Sequence, residues 1–304
     1  EVNAYTAAFD LSKNIGKNKL FYGIEYVFNK VGSTGEQTHI ENGETEAIAS
    51  RYPDGSPWQS MALYGRWQWK FDEDLSFQTG VRYTHIILKS EFDSSFFNFP
   101  FEDANLDTGA LTGSVGVHWK ASEILDWKLN FSTAFRAPNI DDIGKIFDSE
   151  PGSVVVPNPD LKPEYAYNGE LGVSLNFEEV LKVEVGTFYT YLDDALVRRD
   201  FNLNGVTEIE FQGELSNVQA IQNASMAEVY GLEAGVEINF NHQLKLTSQY
   251  TITDGYEEEE DGSKVGLRHV APQFGNTHFI WHNDKLKLDA FAEYNGKIDF
   301  EDLA

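Results

Sequence analysis

The stretch WKLNFSTAF, residues 127–135, alternates between two kinds of side chain without a break. Trp127, Leu129, Phe131 and Phe135 fall on one side, and lysine, asparagine, serine and alanine fall on the other. A period of two residues is typical of a β-strand that has one apolar and one polar face. The stretch therefore predicts a strand within a sheet.

The same alternation recurs along the whole chain of 304 residues. It predicts about twelve strands, at 3–12, 19–30, 58–71, 75–90, 108–120, 126–135, 164–177, 181–193, 226–240, 244–253, 273–283 and 285–296. Several of these runs exceed ten residues, whereas strands of globular proteins usually have about five or six. A tilted strand needs roughly 9–11 residues to cross a bilayer. With no helical period and no repeat of 20–50 residues, the sequence predicts an all-β fold with membrane-length strands.

The connections between these runs alternate in length. Short connections lie at 13–18, 72–74, 121–125, 178–180, 241–243 and 282–284, and long ones at 31–57, 91–107, 136–163, 193–225 and 253–272. A soluble β-sandwich has no reason to keep this order, whereas outer-membrane barrels combine short periplasmic turns with long extracellular loops. We therefore predict an antiparallel transmembrane β-barrel whose long connections face the cell exterior.

Aromatic residues and the charges of the polar face support the same interpretation. One aromatic group flanks the short connections: Trp69, Phe71, Trp119, Trp127, Phe177, Phe240 and Trp281. A second group lies toward the long connections: Tyr83, Phe135, Tyr167, Tyr191, Tyr230, Tyr250 and Tyr294. Two such belts are typical of membrane barrels. The charged residues of the polar face indicate a wide lumen, because a narrow barrel would bury each unpaired charge at a cost of several kcal/mol.

The composition excludes several classes of protein. The net charge is −26, from 49 acidic and 23 basic residues, which counts against nucleic-acid binding. Without cysteine the chain has no disulfide, thiolate metal site or cysteine nucleophile. The seven histidines lack the HExxH spacing, and no GxSxG elbow is present. We therefore expect no enzyme activity, no cofactor and no metal site, which counts against an outer-membrane hydrolase.

Four segments occur in an order that is familiar from one family. They are FSTAFRAPNIDDIG (131–144), NPDLKPEYAYNGELGV (158–173), SNVQAIQNASMAEVYGLEAGVEINF (216–240) and LRHVAPQFGNTHFIWHND (267–284). Together they resemble the barrel of TonB-dependent outer-membrane receptors, nearest those of Bacteroidetes-like bacteria. The Phe-Arg-Ala-Pro and Asn-Pro-Asp-Leu-Lys-Pro-Glu elements carry most of this resemblance.

The resemblance implies a 22-stranded barrel, an N-terminal plug domain and a segment that contacts TonB, in the outer membrane of a Gram-negative bacterium. The chain shows about twelve strands and no plug, so we expect residues 1–304 to be the C-terminal part of such a barrel, without the plug, the early strands and the last strand. The expected partners are outer-membrane lipid, the missing plug and strands, TonB, and a small-molecule ligand. No nucleic-acid partner is expected.

The resemblance also implies energised uptake of a scarce ligand. An iron–siderophore is the first expectation, and another metal chelate, a vitamin or an oligosaccharide stays open. The alternative is a passive outer-membrane porin or a surface-adhesion barrel, which would share the strands and aromatic belts but lack a plug.

Two long connections carry the candidate binding residues. In SSFFNFPF (94–101), the side chains of Phe96, Phe97 and Phe99 could pack on neighbouring loops, close over a plug or touch an apolar ligand, because exposed apolar patches usually mark interactions. The acidic stretch DGYEEEEDG (254–262) is predicted to be a solvated loop, with calcium binding as the alternative.

The second candidate set lies in FRAPNIDDIG and consists of Arg136, Asn139, Asp141 and Asp142. Arg136 could contact a ligand or a plug, or it could form a structural clamp to Asp141, Asp142 or another loop carboxylate. We favour the clamp, because Pro138 rigidifies the end of the strand and arginine prefers bidentate carboxylate partners.

Overall fold

The computed structural model describes residues 1–96, 99–211, 213–223, 226–258, 262–267 and 270–297. In chain order the elements are β1 (Val2–Ile15), β2 (Asn18–Val31), β3 (Gly35–Thr38), β4 (Thr45–Ile48), β5 (Ser56–Lys70), β6 (Leu75–Glu91), β7 (Asp103–Lys120), β8 (Leu125–Arg136), α1 (Ile140–Ile143), β9 (Phe147–Glu150), β10 (Ser153–Val155), β11 (Glu164–Phe177), β12 (Leu181–Asp193), β13 (Leu196–Asp200), β14 (Glu208–Phe211), β15 (Glu214–Asn223), β16 (Met226–Asn241), β17 (Leu244–Glu258), β18 (Lys264–Gly266), β19 (Gln273–His282) and β20 (Lys287–Asn295).

Twelve long strands form one continuous antiparallel sheet. Their order is β1-β2-β5-β6-β7-β8-β11-β12-β16-β17-β19-β20, and β18 is attached to β17. Each long strand pairs with the next long strand along the chain, for example β1 with β2 and β19 with β20. Within the described residues, β1 and β20 each have a single neighbour in the sheet. The predicted all-β antiparallel architecture with about twelve membrane-length strands is therefore confirmed.

The structure corrects the predicted extent of the long connections. β7 begins at Asp103, whereas the alternation predicted a start near 108, so the connection after β6 is shorter than predicted. Leu106 pairs with Leu88 and Ala104 with Ser90, and burial of these four residues accompanies the extension of β7 beyond the clear alternation. The other long connections hold eight short strands and α1. The single turn of α1 was missed because four residues are too few to show a helical period.

The long strands separate an apolar face from a polar face. Leu63, Phe131 and Leu232 lie on the apolar face and are 62%, 54% and 47% exposed. At one end of the strands Trp119 pairs with Trp127, and the rings of Phe240 and Phe279 lie 6.3 Å apart. Toward the long connections, the Tyr167 and Tyr191 rings also lie 6.3 Å apart. The two aromatic groups therefore lie at opposite ends of the strands, as their positions in the sequence predicted.

Charges on the polar face are partly neutralised by one another. Lys182 Nζ lies 2.9 Å from Glu184, and Lys245 Nζ lies 2.8 Å from Glu237. Arg82 lies 2.5 Å from Glu25, with its guanidinium over the Tyr64 ring. Tyr64 in turn donates a hydrogen bond to Asp10.

Aromatic rings lie over glycines on neighbouring strands. A Cβ atom at Gly231 would lie 2.7 Å from the Phe188 ring, and one at Gly23 would lie 2.6 Å from the Tyr64 hydroxyl. A larger residue at either position would displace the ring, because such distances are well inside van der Waals contact. These strand glycines therefore make room for a cross-strand aromatic side chain.

Short strands from separate connections build a second sheet. Its order is β13-β15-β10-β9, with β14 on β15, and β10 runs parallel to β15. Its core contains Val154, Val156, Val218 and Ala220, none more than 1% exposed. We call α1, β9, β10, β13, β14 and β15 together the cap.

Among the described residues, no helix has the length and apolar character that a membrane-spanning helix requires.

Candidate ligand-binding mouth

The cap lies over one end of the polar face of the main sheet. Leu88 lies six residues from Arg82 on β6, so both side chains point to the polar face. Leu88 is 1% exposed because it belongs to a buried cluster with Ile143 of α1 and Leu161. Leu106 of β7 belongs to the same cluster. The connection after β8 therefore folds inward over the polar face at the long-connection end.

The start of this connection is built by a capping box. The Asn139 side chain accepts hydrogen bonds from the backbone N–H groups of Asp141 and Asp142, at 2.7 and 3.2 Å. In return, Asp142 Oδ2 accepts one from the Asn139 N–H, at 3.0 Å. Such reciprocal bonds satisfy N–H groups that the first turn of a helix leaves unpaired. Asn139 and Asp142 therefore hold the turn in which Ile143 is presented to the core.

Arg136 ties three segments together. Its guanidinium lies 2.6 Å from Asp142, which is nearly buried, and 3.6 Å from Glu164 at the start of β11. The second oxygen of Glu164 accepts a hydrogen bond from the Leu196 N–H of β13, at 2.8 Å. The predicted clamp is thus present, with Asp142 and Glu164 as its carboxylates.

Asp141 anchors the other side of α1 through different partners. Tyr52 donates a hydrogen bond to Asp141 at 2.7 Å, Lys145 Nζ lies at 2.8 Å, and Arg51 lies at 3.8 Å. Burial alone would raise the pKa of Asp141, but the hydrogen bonds from Lys145 and Tyr52 and the charges of Lys145 and Arg51 hold it below its usual value. Burial and the hydrogen bond to Asp141 raise the pKa of Tyr52. Asp141 is therefore a charged anchor for the segment before β5.

The phenylalanines after β6 divide into a packed and an exposed group. The rings of Phe99 and Phe101 stack at 5.4 Å, and both meet Phe92 edge-on at 5.3 and 5.4 Å. Phe99 and Phe101 also pack against the core of the cap. Phe96 is 44% exposed, whereas Phe97 lies outside the described residues. Of the predicted uses, packing on neighbouring loops is therefore observed for Phe99.

A cavity of about 240 Å³ opens between these phenylalanines and the β3–β4 hairpin. Its apolar wall includes Phe92, Phe96, Phe99, Ile48 and Ile146. The polar lining residues include Asp54, Asp93 and Tyr52, and the Tyr52 hydroxyl donates a hydrogen bond to Asp141. A pocket for a whole drug-sized ligand measures roughly 300–1,000 Å³. This cavity therefore has the size of a subsite for one apolar part of a ligand.

The structure brings Arg136, Asn139, Asp141 and Asp142 together at α1 and places Phe96 and Phe99 at the cavity. Three further residues were missed by sequence reasoning: Arg51, Tyr52 and Lys145. The guanidinium of Arg51 and the amine of Lys145 lie 4.5 and 4.7 Å from the Phe147 ring centroid. Tyr52 lies 89 positions from Asp141 in the chain, and no sequence pattern marks this contact.

The remaining chemical predictions concern metals. No group of three or more His, Asp or Glu side chains that could hold a metal ion occurs in the part of the chain that the structure describes. In the acidic stretch, residues 254–258 belong to β17, and residues 259–261 lie outside the described residues. The choice between a solvated loop and calcium binding there stays a prediction.

Comparison with known proteins identifies the family. The family model for the TonB dependent receptor-like β-barrel matches residues 1–302. The chain therefore belongs to the TonB-dependent receptor-like β-barrel family, whose members are outer-membrane receptors and transporters and not enzymes.

Two curated relatives illustrate this membership. The iron-regulated outer membrane virulence protein of Vibrio cholerae serotype O1 is 25% identical over 288 residues, which cover 93% of this chain and 39% of the relative. The heme/hemopexin utilization protein C of Haemophilus influenzae is 25% identical over 283 residues, covering 84% of this chain and 36% of the relative. The chain thus spans well under half the length of these relatives.

Solved structures show the same fold. The copper transporter OprC superposes with a TM-score of 0.76 at 12% identity, over 96% of this chain and 43% of OprC. The Serratia marcescens hemophore receptor HasR, solved with its hemophore HasA and heme, gives a TM-score of 0.71 at 16% identity, over 96% of this chain and 50% of HasR.

Proposed function

We propose that this chain is the C-terminal part of the barrel of an outer-membrane receptor that imports an iron chelate with energy delivered through TonB. The observation that carries the proposal is the folded cap, which covers one end of the polar face with a buried core and the Arg136–Asp142 clamp. A passive porin needs an open passage there, whereas a receptor for a scarce ligand needs a structured binding region. We call the cap together with the cavity beside it the mouth.

The polar face is proposed to line the lumen, and the apolar face with its aromatic belts to contact lipid. A plug domain from the same protein would occupy the lumen, and further strands would pair with the free edges of β1 and β20. Both edges carry a row of unpaired backbone groups in the described sheet, which lipid does not tolerate.

The proposed ligand contacts are Phe96, Phe97 and Phe99 with the rim of the cavity, while Arg136, Asn139, Asp141 and Asp142 position the mouth. The relatives support iron as the transported element. One is named for iron regulation, and another is named for use of heme and hemopexin.

Uptake of ⁵⁵Fe-loaded chelates by cells that contain the full-length receptor tests the proposal. We expect uptake to be lost on deletion of the receptor and also on deletion of TonB, with the receptor still in the outer membrane. Uptake that persists without TonB would instead favour a passive porin. If deletion of the receptor changes cell attachment and leaves uptake unchanged, the result would favour an adhesion barrel.

A further inference from the structure

The long connections carry most of the negative charge of the chain. Segments 31–57, 91–107, 136–163, 193–225 and 253–272 together contain 27 acidic and 8 basic residues, which is a net charge of −19 out of −26. Charge of one sign around an opening steers ions of the opposite sign toward it and repels ions of the same sign. Since the Debye length is about 8 Å at physiological salt, this effect acts close to the mouth.

Cations around α1 are already engaged by carboxylates of the mouth. Arg136 contacts Asp142 and Glu164, and Lys145 and Arg51 both contact Asp141. Recruiting Arg136 or Lys145 to an anionic ligand would break a close ion pair and leave a carboxylate beside the ligand, which costs free energy. Arg51 would give up only a weak, half-exposed pair, but Asp141 would still lie beside the ligand. The residues around α1 therefore provide little attraction for an anionic ligand.

The residues that line the cavity also disfavour an anionic ligand, here through contacts at short range. No lysine or arginine lies among its described lining residues, whereas Asp54 and Asp93 do. Hydrogen bonds from the Ser95 hydroxyl and N–H hold the pKa of Asp93 below its usual value, so this carboxylate is charged at neutral pH. Asp54 accepts a hydrogen bond from the Ser33 N–H at 2.8 Å. Beside these carboxylates, Phe92, Phe96 and Phe99 offer aromatic surface.

We infer that the mouth selects ferric chelates that carry no net negative charge and that insert an apolar edge into the cavity between Phe96, Phe99 and Ile48. This inference rests on the proposed function and narrows its ligand class. A cationic chelate gains from the carboxylates Asp54 and Asp93 and from the aromatic wall, whereas a neutral chelate gains from apolar contact with the wall and meets no charge repulsion. A multiply anionic chelate is repelled both by the charge of the long connections and by Asp54 and Asp93, and no lysine or arginine among the described lining residues offsets this repulsion.

Binding of chelates that share iron but differ in charge tests the inference. The probes are a monocationic ferric tris-hydroxamate, a neutral ferric tris-hydroxamate, a trianionic ferric tris-catecholate and haemin. Each is titrated against purified full-length receptor at 0.15 M salt. We expect the monocationic or the neutral chelate to bind most tightly. Tightest binding of the tris-catecholate or of haemin would overturn the inference.

Two isosteric substitutions measure the contribution of the carboxylates Asp54 and Asp93, which we call the rim of the cavity. Asp54→Asn and Asp93→Asn keep the oxygens that accept from Ser33 and Ser95 but remove the charges. Together we expect them to weaken binding of the cationic chelate by about two- to tenfold and to strengthen binding of the trianionic one. Asp284→Asn, at the opposite end of the strands, is the matched control and should change neither affinity. Equal affinities in the double variant and the parent receptor would overturn the role of the rim.

A third variant tests the apolar subsite separately. Phe96 is exposed at the cavity, so Phe96→Ala should weaken chelate binding without unfolding the cap, whose fold is checked by hydrogen exchange. Unchanged affinity in this variant would contradict the insertion of an apolar edge. The two proposals fail differently: uptake of the trianionic chelate alone overturns the charge preference and leaves TonB-dependent iron uptake intact, whereas uptake of no iron chelate overturns the proposed function.

Discussion

The main sheet and the cap use the same apolar residue types in opposite ways. Leu63, Phe131 and Leu232 of the sheet are about half exposed, whereas Ile143, Val154 and Val218 of the cap are no more than 1% exposed. The sheet has no core of its own on its apolar face and needs an apolar surrounding to cover it. The cap carries its own core around Val154 and Val218, although its strands come from separate connections, and Ile143 joins the cap to β6 and β7 of the sheet. Stability of the two regions should therefore respond to different changes.

The largest expected effect is on the cap. Ile143→Ala removes most of a fully buried side chain and should cost about 2–5 kcal/mol of cap stability, because neighbouring side chains fill the resulting void only in part. Hydrogen exchange of the full-length receptor should show faster exchange in 137–163 and 193–223 and unchanged exchange in β16 and β17. Ile40→Ala, at a fully exposed position, is the control and should have little effect. The ends of β6 and β7 that contact Ile143 should also exchange faster, whereas equal acceleration throughout the main sheet would contradict separate stability of the two regions.

A charge on the apolar face should affect the sheet and leave the cap unchanged. Phe131→Arg places a charge in the middle of β8 and should cost about 2–4 kcal/mol if that face lies in lipid. Ser132→Arg, one residue later on the polar face, is the matched control and should cost much less. Reversible urea unfolding of the full-length receptor in lipid vesicles measures both. Similar costs for the two substitutions would show that the apolar face is not covered by lipid.

The clamp should contribute less than the core of the cap. In a double-mutant cycle with Arg136→Gln and Asp142→Asn, we expect a coupling of roughly 1–3 kcal/mol, since the pair is charged, close and half-buried. The corresponding cycle for Arg51 and Asp141 should give less than about 1 kcal/mol, because their atoms are 3.8 Å apart and both side chains are half exposed. A coupling near zero for Arg136 and Asp142 would contradict the clamp.

The smallest expected effect is a pH dependence at Asp141. Its pKa is lowered in the folded cap, so its contribution is complete above the pKa of an unfolded aspartate, about 3.9, and is lost as the pH falls through the lower folded value. We expect hydrogen exchange around Tyr52 and Lys145 to accelerate below about pH 4. Asp141→Asn should remove that dependence. A dependence that remains in this variant would assign it to another group.

Sequence reasoning reached some contacts of the mouth and missed others. Arg136 and Asp142 are six residues apart, so the rigid exit at Pro138 made their pairing predictable. Tyr52 and Asp141 are 89 positions apart, and nothing in either segment identifies the other as its partner. The parallel pairing of β10 with β15 likewise joins two connections that a pattern shows only as irregular. The packing of Phe99 on the cap depends on that pairing.

The sequence by itself determined the number, order and two-faced character of the long strands, and their length to within a few residues. It could do so because alternation is a local property and because short turns place consecutive antiparallel strands side by side. Only the tertiary structure decided that the long connections form a cap with its own core over the polar face. That outcome depends on burial between segments far apart in the chain, and the free energy of such contacts leaves no period in any one of them.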